Sequence, residues 1–543
     1  MVYRLVCAAL MVLGCTPIFS QEFTSSNLPI VKINTNGETI LDDPKIMADM
    51  AIIDNGPGEI NHIDDTPTDY NGKIGIEIRG SSSQMFPKKQ YGIELWDEQG
   101  EGIDASILGM PEEEDWVLFA PYNDKALIRD ALAYKLGRDM GQYASRQRFC
   151  EVVLNDEYMG VFVFFEKVKR DGERVDIAKL DPDEITGDDL TGGYLFKIDK
   201  STGSGGDGWA SDYAPLNASG GQEIFFQYED PKSDEIATEQ KQYIKEFMDK
   251  FEDALAGENF DDPVEGYAKY IDVESFVDYY LINELTKNVD AYRLSTFMHK
   301  QRDSDGGKLR MGPIWDFNLG FGNVDYCIMG TPDGFVTSFN SVCPDDFWQI
   351  PFWWNRLLSD PAFRQKLNVR WDELRAGPFA TETILDYVDA TVTMLGDAQA
   401  RNFQRWPVLG EYIWPNYYVG DTYEQEVTWL KSWISDRLDW LDTYLPGLVT
   451  AVDGENTMAT QTRLYPNPFQ ETLNIEYILD RPGNVSIELT DMIGRSAGAY
   501  YQGNISAGSY NLMIDTSTFP SGMYLYRVVV NNKPSLAGKV FKP

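Results

Sequence analysis

The chain has 543 residues and is therefore expected to form more than one domain. Hydrophobic residues make up 43% of it and aromatic residues 13%, a composition that suits packed cores and excludes a largely disordered protein. The net charge of −39 excludes a broadly positive surface for phosphate backbones, so we predict no nucleic-acid partner.

Residues 1–20 predict a secretory signal peptide, because Arg4 precedes an apolar core that is too short to span a membrane stably. We expect cleavage before Gln21. The alternative is lipid attachment at Cys15, since the letters VLGC partly match a lipoprotein signal. No other run of about 18 apolar residues occurs, so no transmembrane span is predicted.

Three cysteines lie beyond this leader. Cys327 and Cys343 can pair in an oxidising compartment, which would leave Cys150 as a buried thiol; the alternative is that all three are unpaired. The only two histidines are far apart in sequence and have no nearby partner. A zinc site built on histidines and a Ser–His triad are therefore not predicted.

Residues 21–70 alternate apolar and polar residues between turn-forming clusters, which predicts an N-terminal β segment built of hairpins. The next strand ends in the letters RGSSSQ. Backbone N–H groups and hydroxyls in such a loop can contact an anion, and the candidates are Arg79, Gly80, Ser82 and Ser83. An ordinary surface turn is the alternative interpretation.

The strand after this loop begins with two lysines. Strand alternation lets only one of them point inward, and Lys89 shares a face with the apolar residues Tyr91 and Ile93. We therefore expect Lys89 to point inward rather than Lys88; a pair of solvated lysines is the alternative.

A helix is predicted after Asp124, which is a good N-cap, and Arg129 and Asp130 lie within it. An apolar β-hairpin follows, and Glu166 ends its second strand. Residues 235–447 mainly keep helical periodicity. A β-rich part followed by a helical part predicts the α+β class in a bilobal arrangement.

Two aspartates stand at the ends of apolar segments in this region. Asp290 ends a predicted helix, and Asp316 ends the run GPIW, with a β-like stretch and a DSDGG turn between them. Phosphoryl transfer needs one carboxylate that orients the attacking hydroxyl and another that holds a divalent cation. The alternative is that both are ordinary turn aspartates, which are common for local backbone reasons.

Six blocks, in this order, resemble the CotH kinase family of spore-coat-type protein kinases. They are IRGSSSQMFPKKQYGIEL (78–95), DWVLFAPYNDKALIRDALAYKLG (115–137), EVVLNDEYMGVFVFFEKVKRD (151–171), GGYLFKID (192–199), NVDAYRLSTF (288–297) and GPIWDFNLGFG (312–322). The resemblance implies a bilobal, atypical kinase-like domain over residues 71–449. It also implies an ATP-dependent Ser/Thr protein kinase that uses Mg²⁺ or Mn²⁺ and phosphorylates an acceptor protein.

The resemblance also implies roles for individual residues. Asp290 matches the family's catalytic aspartate and Asp316 its metal-binding aspartate. Ser295 and Asn318 stand where further metal ligands are expected, and the loop from Arg79 to Ser83 would cover the phosphates. Two further nucleotide contacts are expected at Lys89, for the phosphates, and at the backbone of Glu166, for the adenine.

Two departures from ordinary kinases favour an alternative function. Ser295 stands in place of the asparagine that usually binds the second metal, and Asn318 stands where some family members carry a further aspartate. In addition, the helix after Asp124 offers no glutamate, which leaves the partner of the phosphate-binding lysine unassigned. The alternative is a catalytically weak or inactive protein of kinase fold with a structural or adhesive role at the cell surface. A carbohydrate-binding protein is a third alternative, suggested only by the 13 tryptophans.

Residues 450–461 are small and polar and predict a linker, and residues 462–543 predict a β-sandwich. The blocks YPNPF, DMIGR and PSGMYLYRV and the terminal KVFKP resemble the C-terminal sorting domain of the Bacteroidetes type IX secretion system. The resemblance implies that the type IX machinery is a partner and that the protein is secreted or attached to the cell surface.

Overall fold

The computed structural model describes residues 23–200, 207–218, 220–450, 459–479, 482–491, 496–530 and 533–543. The predicted signal peptide, with both of its possible processing sites, and most of the predicted linker lie outside this part. The chain divides into two compact units, Met1–Leu448 and Val449–Pro543. No helix in the described part is long and apolar enough to cross a membrane.

The first unit begins with a series of strands. They are β1 (Ser25–Ser26), β2 (Ile30–Asn34), β3 (Ile46–Ile53), β4 (Asn61–His62), β5 (Tyr70–Arg79), β6 (Gln90–Trp96), β7 (Ala105–Ile107), β8 (Met110–Glu113), β9 (Asp115–Phe119), β10 (Gln147–Leu154) and β11 (Glu157–Glu166). Strands β2 and β3, from the predicted N-terminal segment, pair with each other, and β3 then pairs with β5.

Seven of these strands close a barrel in the order β10, β11, β9, β6, β5, β3, β2. Closure comes from the parallel pairing of β10 with β2, in which Glu151 lies opposite Ile30. The alternating apolar residues of the strands form a buried cluster that includes Trp116, Phe162 and the free thiol of Cys150. The hairpins were predicted from the sequence, whereas the closed barrel was not.

A five-stranded sheet and a series of helices complete the first unit. The strands, in the sheet order β13, β14, β12, β15, β16, are β12 (Tyr194–Ile198), β13 (Trp209–Ala210), β14 (Phe225–Asp230), β15 (Thr296–Lys300) and β16 (Leu309–Met311). The helices are α1 (Arg129–Asp139), α2 (Thr238–Ala256), α3 (Val273–Thr286), α4 (Phe339–Val342), α5 (Trp353–Leu357), α6 (Pro361–Arg375), α7 (Thr381–Arg405) and α8 (Tyr423–Thr450). The predicted α+β class is confirmed.

The segment between Cys327 and Cys343 is held to the helices from both sides. The two cysteines form a disulfide. Glu284 of α3 accepts hydrogen bonds from two backbone N–H groups of this segment, and Arg437 of α8 donates to two of its carbonyls. Because Glu284 and Arg437 are also paired with each other and fully buried, they form an internal support for the segment.

The second unit consists of two antiparallel sheets. Its strands are β17 (Ala459–Tyr465), β18 (Thr472–Leu479), β19 (Gly483–Asp491), β20 (Ser496–Ile505), β21 (Gly508–Asp515), β22 (Gly522–Val530) and β23 (Lys533–Lys542). One sheet has the order β17, β18, β21 and the other β20, β19, β22, β23. Apolar residues of both sheets, among them Leu473 and Ile487, belong to one buried cluster.

Candidate active site

A cavity of about 240 Å³ lies in the first unit, between the loop after β5, helix α1, the five-stranded sheet and the turns that follow α3 and β16. Most of the residues singled out in the sequence line it. They are Arg79, Gly80, Ser82, Ser83, Asp290, Ser295, Asp316 and Asn318. The structure therefore brings the two aspartates to one site from separate segments of the chain.

The loop after β5 reaches the cavity through a glycine turn. Gly80 has a φ of +97°, and a Cβ atom on it would lie 2.1 Å from Ser83 Oγ, so this position suits glycine. The guanidinium of Arg79 lies 5.4 Å from the centre of the Trp315 ring. The loop thus presents serine residues and a cation to the cavity.

The backbone of Asp316 is held in a left-handed conformation, with a φ of 65°. Its N–H donates to Tyr134 Oη at 3.2 Å, and its carbonyl accepts from Asn288 Nδ2 at 3.0 Å. The following N–H, of Phe317, donates to Asp130 Oδ1 at 2.7 Å. A left-handed backbone is uncommon for residues other than glycine and is kept only where the surroundings hold it. The three hydrogen bonds hold the backbone here, and they thereby fix the position of the Asp316 carboxylate.

The Asp316 carboxylate lies near two other carboxylates, those of Asp290 and Asp199. Burial, together with the nearby carboxylates of Asp290 and Asp199, raises the pKa of Asp316 to about 7, against the smaller opposing effects of Arg79 and Lys200. Keeping this carboxylate ionised requires a compensating cation. A divalent metal would supply that charge.

The oxygen donors at the cavity fit Mg²⁺ or Mn²⁺, which prefer carboxylate, amide and hydroxyl oxygens. Magnesium is usually held by only one or two carboxylates together with substrate phosphates. The Asp316 carboxylate and the amide oxygen of Asn318 would allow this. Within the described residues, the one group of three acidic ligands within 4.8 Å of each other lies elsewhere, at Glu113, Glu114 and Asp115. Lys169 contacts all three of these carboxylates, so salt bridges account for that group.

Asp290 follows the C-terminus of α3 and is oriented by a buried arginine. Arg293 donates from Nη2 to Asp290 Oδ1 at 2.8 Å, and its Nη1 donates to the carbonyl of Trp348 at 3.2 Å. The side chain of Asp290 is 18% exposed, whereas that of Arg293 is 2% exposed. The Asp290 carboxylate is therefore fixed in place and still reachable from the cavity.

Two predicted site residues do not line this cavity. Lys89 donates from Nζ to the carbonyl of Gln84. Glu166 is fully buried, and its carboxylate accepts from the N–H of Arg146 at 2.8 Å. Lys88, and not Lys89, is the buried lysine of the pair: it is 1% exposed, and its Nζ donates to a backbone and an amide oxygen. The expectation that Lys89 points inward was wrong, because both lysines precede the first residue of β6 and strand alternation does not extend to them. The predicted nucleotide contacts of Lys89 and Glu166 stay predictions.

A lysine that does line the cavity is Lys197 of β12. Its Nζ lies 2.8 Å from Oε2 of Glu229, on the neighbouring strand β14, and both residues line the cavity together with Asp199. This pair was missed in the sequence. Its signal was the alternation in YLFKID, where Lys197 and Asp199 interrupt an otherwise apolar strand.

The raised pKa of Asp316 predicts a pH-dependent effect of Asp316→Asn in the metal-free protein. An acid whose folded pKa lies above its unfolded value destabilises the fold as pH rises through the window between them, here from about 4 to 7. In EDTA, Asp316→Asn should therefore stabilise the protein more at pH 8 than at pH 4, by about 4 kcal/mol. Urea unfolding at both pH values measures this; an equal effect at both would contradict it.

Comparison with known proteins supports the resemblance seen in the sequence. The profile of the CotH kinase protein family matches residues 76–441, and the profile of the secretion system C-terminal sorting domain matches residues 463–542. No curated protein is recognisably similar to the chain.

Among solved structures, the alkylpurine DNA glycosylase AlkC of Pseudomonas fluorescens, bound to DNA containing an abasic site analog, shows a partial match. It is 13% identical, and the match covers 38% of this chain and 70% of that chain with a TM-score of 0.14. A TM-score this low does not relate the two folds.

Proposed function

The chain belongs to the CotH kinase protein family, and we propose that it is an ATP-dependent Ser/Thr protein kinase that works with Mg²⁺ or Mn²⁺. The observation that carries the proposal is the meeting of Asp290 and Asp316 at one cavity, beside the loop from Arg79 to Ser83 and the Lys197–Glu229 pair. Carboxylates, a cation and a loop rich in N–H groups are the parts that phosphoryl transfer needs.

In the proposed reaction, Asp290 orients the hydroxyl of an acceptor serine or threonine and takes its proton. The hydroxyl oxygen bonds to the terminal phosphorus, and the bond from that phosphorus to the bridging oxygen of the leaving ADP breaks. Asp316, with Asn318 and Ser295, holds the metal, which neutralises phosphate charge when bound. Lys197, fixed by Glu229, binds phosphate oxygens, and Arg79 and the serines of its loop cover them.

The arrangement that we propose for the first unit is bilobal, with the barrel as one lobe and the helices as the other. We propose that the second unit, which follows it in the sequence, is a β-sandwich. The sorting domain indicates export by type IX secretion to the cell surface or outside. We propose that the predicted signal peptide starts this route, that the type IX machinery is a partner and that the acceptor is a protein met after export.

A second candidate function is an inactive surface protein of kinase fold with a structural or adhesive role. Ser295 favours it, because a serine hydroxyl is a weaker metal ligand than the asparagine that kinases usually have there. Such a protein would keep the kinase fold without transferring phosphate. A role in carbohydrate binding through exposed tryptophans gains less support, since Trp371 and Trp433 are buried.

Nucleotide binding can be tested by thermal shift. ATP with Mn²⁺ should raise the melting temperature of the full chain, because a ligand that binds only the folded state stabilises it by mass action. Lys197→Met should lose most of this shift, since the cation that binds phosphate is gone. Lys179→Met, which removes an exposed lysine paired with Asp181, is the matched control and should keep it.

Transfer of radiolabelled phosphate from ATP to casein or to the chain itself then separates the two candidate functions. A shift with transfer supports the kinase, and a shift without transfer supports the inactive protein. No shift in the parent protein, at millimolar ATP and Mn²⁺, would contradict the kinase and leave the structural role.

A further inference from the structure

Asp130, in the first turn of α1, lines the cavity, although the sequence analysis gave it no role in the site. It lies four residues before Tyr134 on one helix face, and both line the cavity. The neighbouring Arg129 pairs with Asp124 instead. Helix α1 therefore contributes an acidic group to the site rather than a partner for the phosphate-binding lysine, a role that Glu229 fills for Lys197.

One carboxylate oxygen of Asp130 accepts a hydrogen bond, and the other does not. Oδ1 accepts the N–H of Phe317, the residue after Asp316, whereas Oδ2 is buried and has no hydrogen-bond partner among the described residues. The side chain is buried, since the residue is only 3% exposed. The Tyr134 hydroxyl interacts with the Asp130 carboxyl and accepts the N–H of Asp316, but Oδ2 itself has no partner with ordinary hydrogen-bond geometry among the described residues.

An unpartnered carboxylate oxygen in such a place is costly. A buried acceptor without a donor loses its hydration and gains nothing in return. Asp316 lines the same cavity, and the N–H of the next residue, Phe317, is bonded to Asp130 Oδ1, so a second acidic group lies close by. A cation between the two carboxylates would remove both costs.

We propose that Asp130 Oδ2 and the Asp316 carboxylate together hold the divalent cation of this site. The inference rests on the proposed function for the location of the metal. It adds to that function a ligand from α1, so that one carboxylate comes from the helix and one from the segment after β16. The bond from Oδ1 to Phe317 ties the two ligands to each other, and the pair of carboxylates with phosphate oxygens meets the usual demand of Mg²⁺ or Mn²⁺.

Asp130→Asn is the decisive variant. The amide keeps an oxygen for the Phe317 N–H and the shape of the side chain, but it puts an NH₂ group where the free oxygen was. If Asp130 served only to hold the backbone of Phe317, or acted as a neutral acid, the asparagine would replace it without loss. If it is a ligand, the affinity for Mn²⁺ should fall.

The measurement is the binding of Mn²⁺ alone to the full chain, followed by electron paramagnetic resonance of the free ion. We expect Asp130→Asn to raise the Kd by about tenfold or more, as Asp316→Asn should. Asp139→Asn, at the far end of the same helix, is the control and should leave the Kd unchanged. Melting temperatures in EDTA check that the variants are folded.

Each outcome decides the inference. A Kd for Asp130→Asn equal to that of the parent, or a parent that binds no Mn²⁺ at millimolar concentration, would overturn it. The result is independent of catalysis. If Asp130→Asn weakens Mn²⁺ binding but the parent protein transfers no phosphate, only the kinase function is refuted. If the parent transfers phosphate but Asp130→Asn binds Mn²⁺ as the parent does, only the role of Asp130 is refuted.

Discussion

Asp290→Asn and Asp316→Asn should each lower the rate of phosphate transfer by about 10²- to 10⁴-fold while leaving the protein folded. The amide that replaces the Asp290 carboxylate would still accept a hydrogen bond but could not take the proton of the acceptor hydroxyl. The amide that replaces the Asp316 carboxylate would lack the charge that holds the metal. The two losses concern different steps, so nucleotide binding should survive the first substitution better than the second.

The assay is transfer of radiolabelled phosphate from ATP with Mn²⁺, carried out beside Asp305→Asn, which removes an exposed turn aspartate between the two. That control should transfer phosphate like the parent. Activity of both Asp290→Asn and Asp316→Asn at the level of the parent would refute the assignment of this cavity as the active site.

Arg437→Ala should destabilise the first unit by about 3–5 kcal/mol, because it leaves Glu284 as a buried carboxylate without its cation. The arginine also donates to the carbonyls of Pro332 and Gly334, so those acceptors lose their partner as well. The expected result is a large fall in the midpoint of thermal unfolding, together with a looser segment between the two bonded cysteines.

A double variant separates charge from packing. Adding Glu284→Gln to Arg437→Ala should recover part of the loss, since no uncompensated charge then remains in the interior. Circular dichroism melting of the parent, the two single variants and the double variant gives the coupling energy. If Arg437→Ala melts within a degree or two of the parent, the pair does not support the fold as described.

The elements of the fold could be read from local patterns, but their closure could not. Alternating apolar residues predicted β2, β3 and β5 as hairpins, and this was correct because neighbouring strands pair antiparallel. The closing contact between Ile30 and Glu151 is parallel and joins segments far apart in the chain. No turn signal marks such a pairing, so periodicity alone could not reveal it.

The same distinction holds for the site. The motif blocks predicted that Asp290 and Asp316 lie at one site, and both residues line the same cavity. Strand alternation predicted that Lys89 points inward with Tyr91, but Lys88 is the buried lysine, because both precede the first residue of β6. Alternation also could not tell which lysine of the chain reaches the cavity. Lys197 does so because β12 lies between β14 and β15 in the sheet, an order that depends on tertiary packing.

The closing pair of barrel strands also sets an order of events. During synthesis from the amino end, β2 is made long before β10. Until β10 has been made, one edge of β2 has no strand to pair with. Exposed strand edges of this kind recruit other chains, and contacts of such long range form slowly. The newly made protein therefore needs protection from self-association until at least Leu154 has appeared, and the finished barrel needs none at that seam.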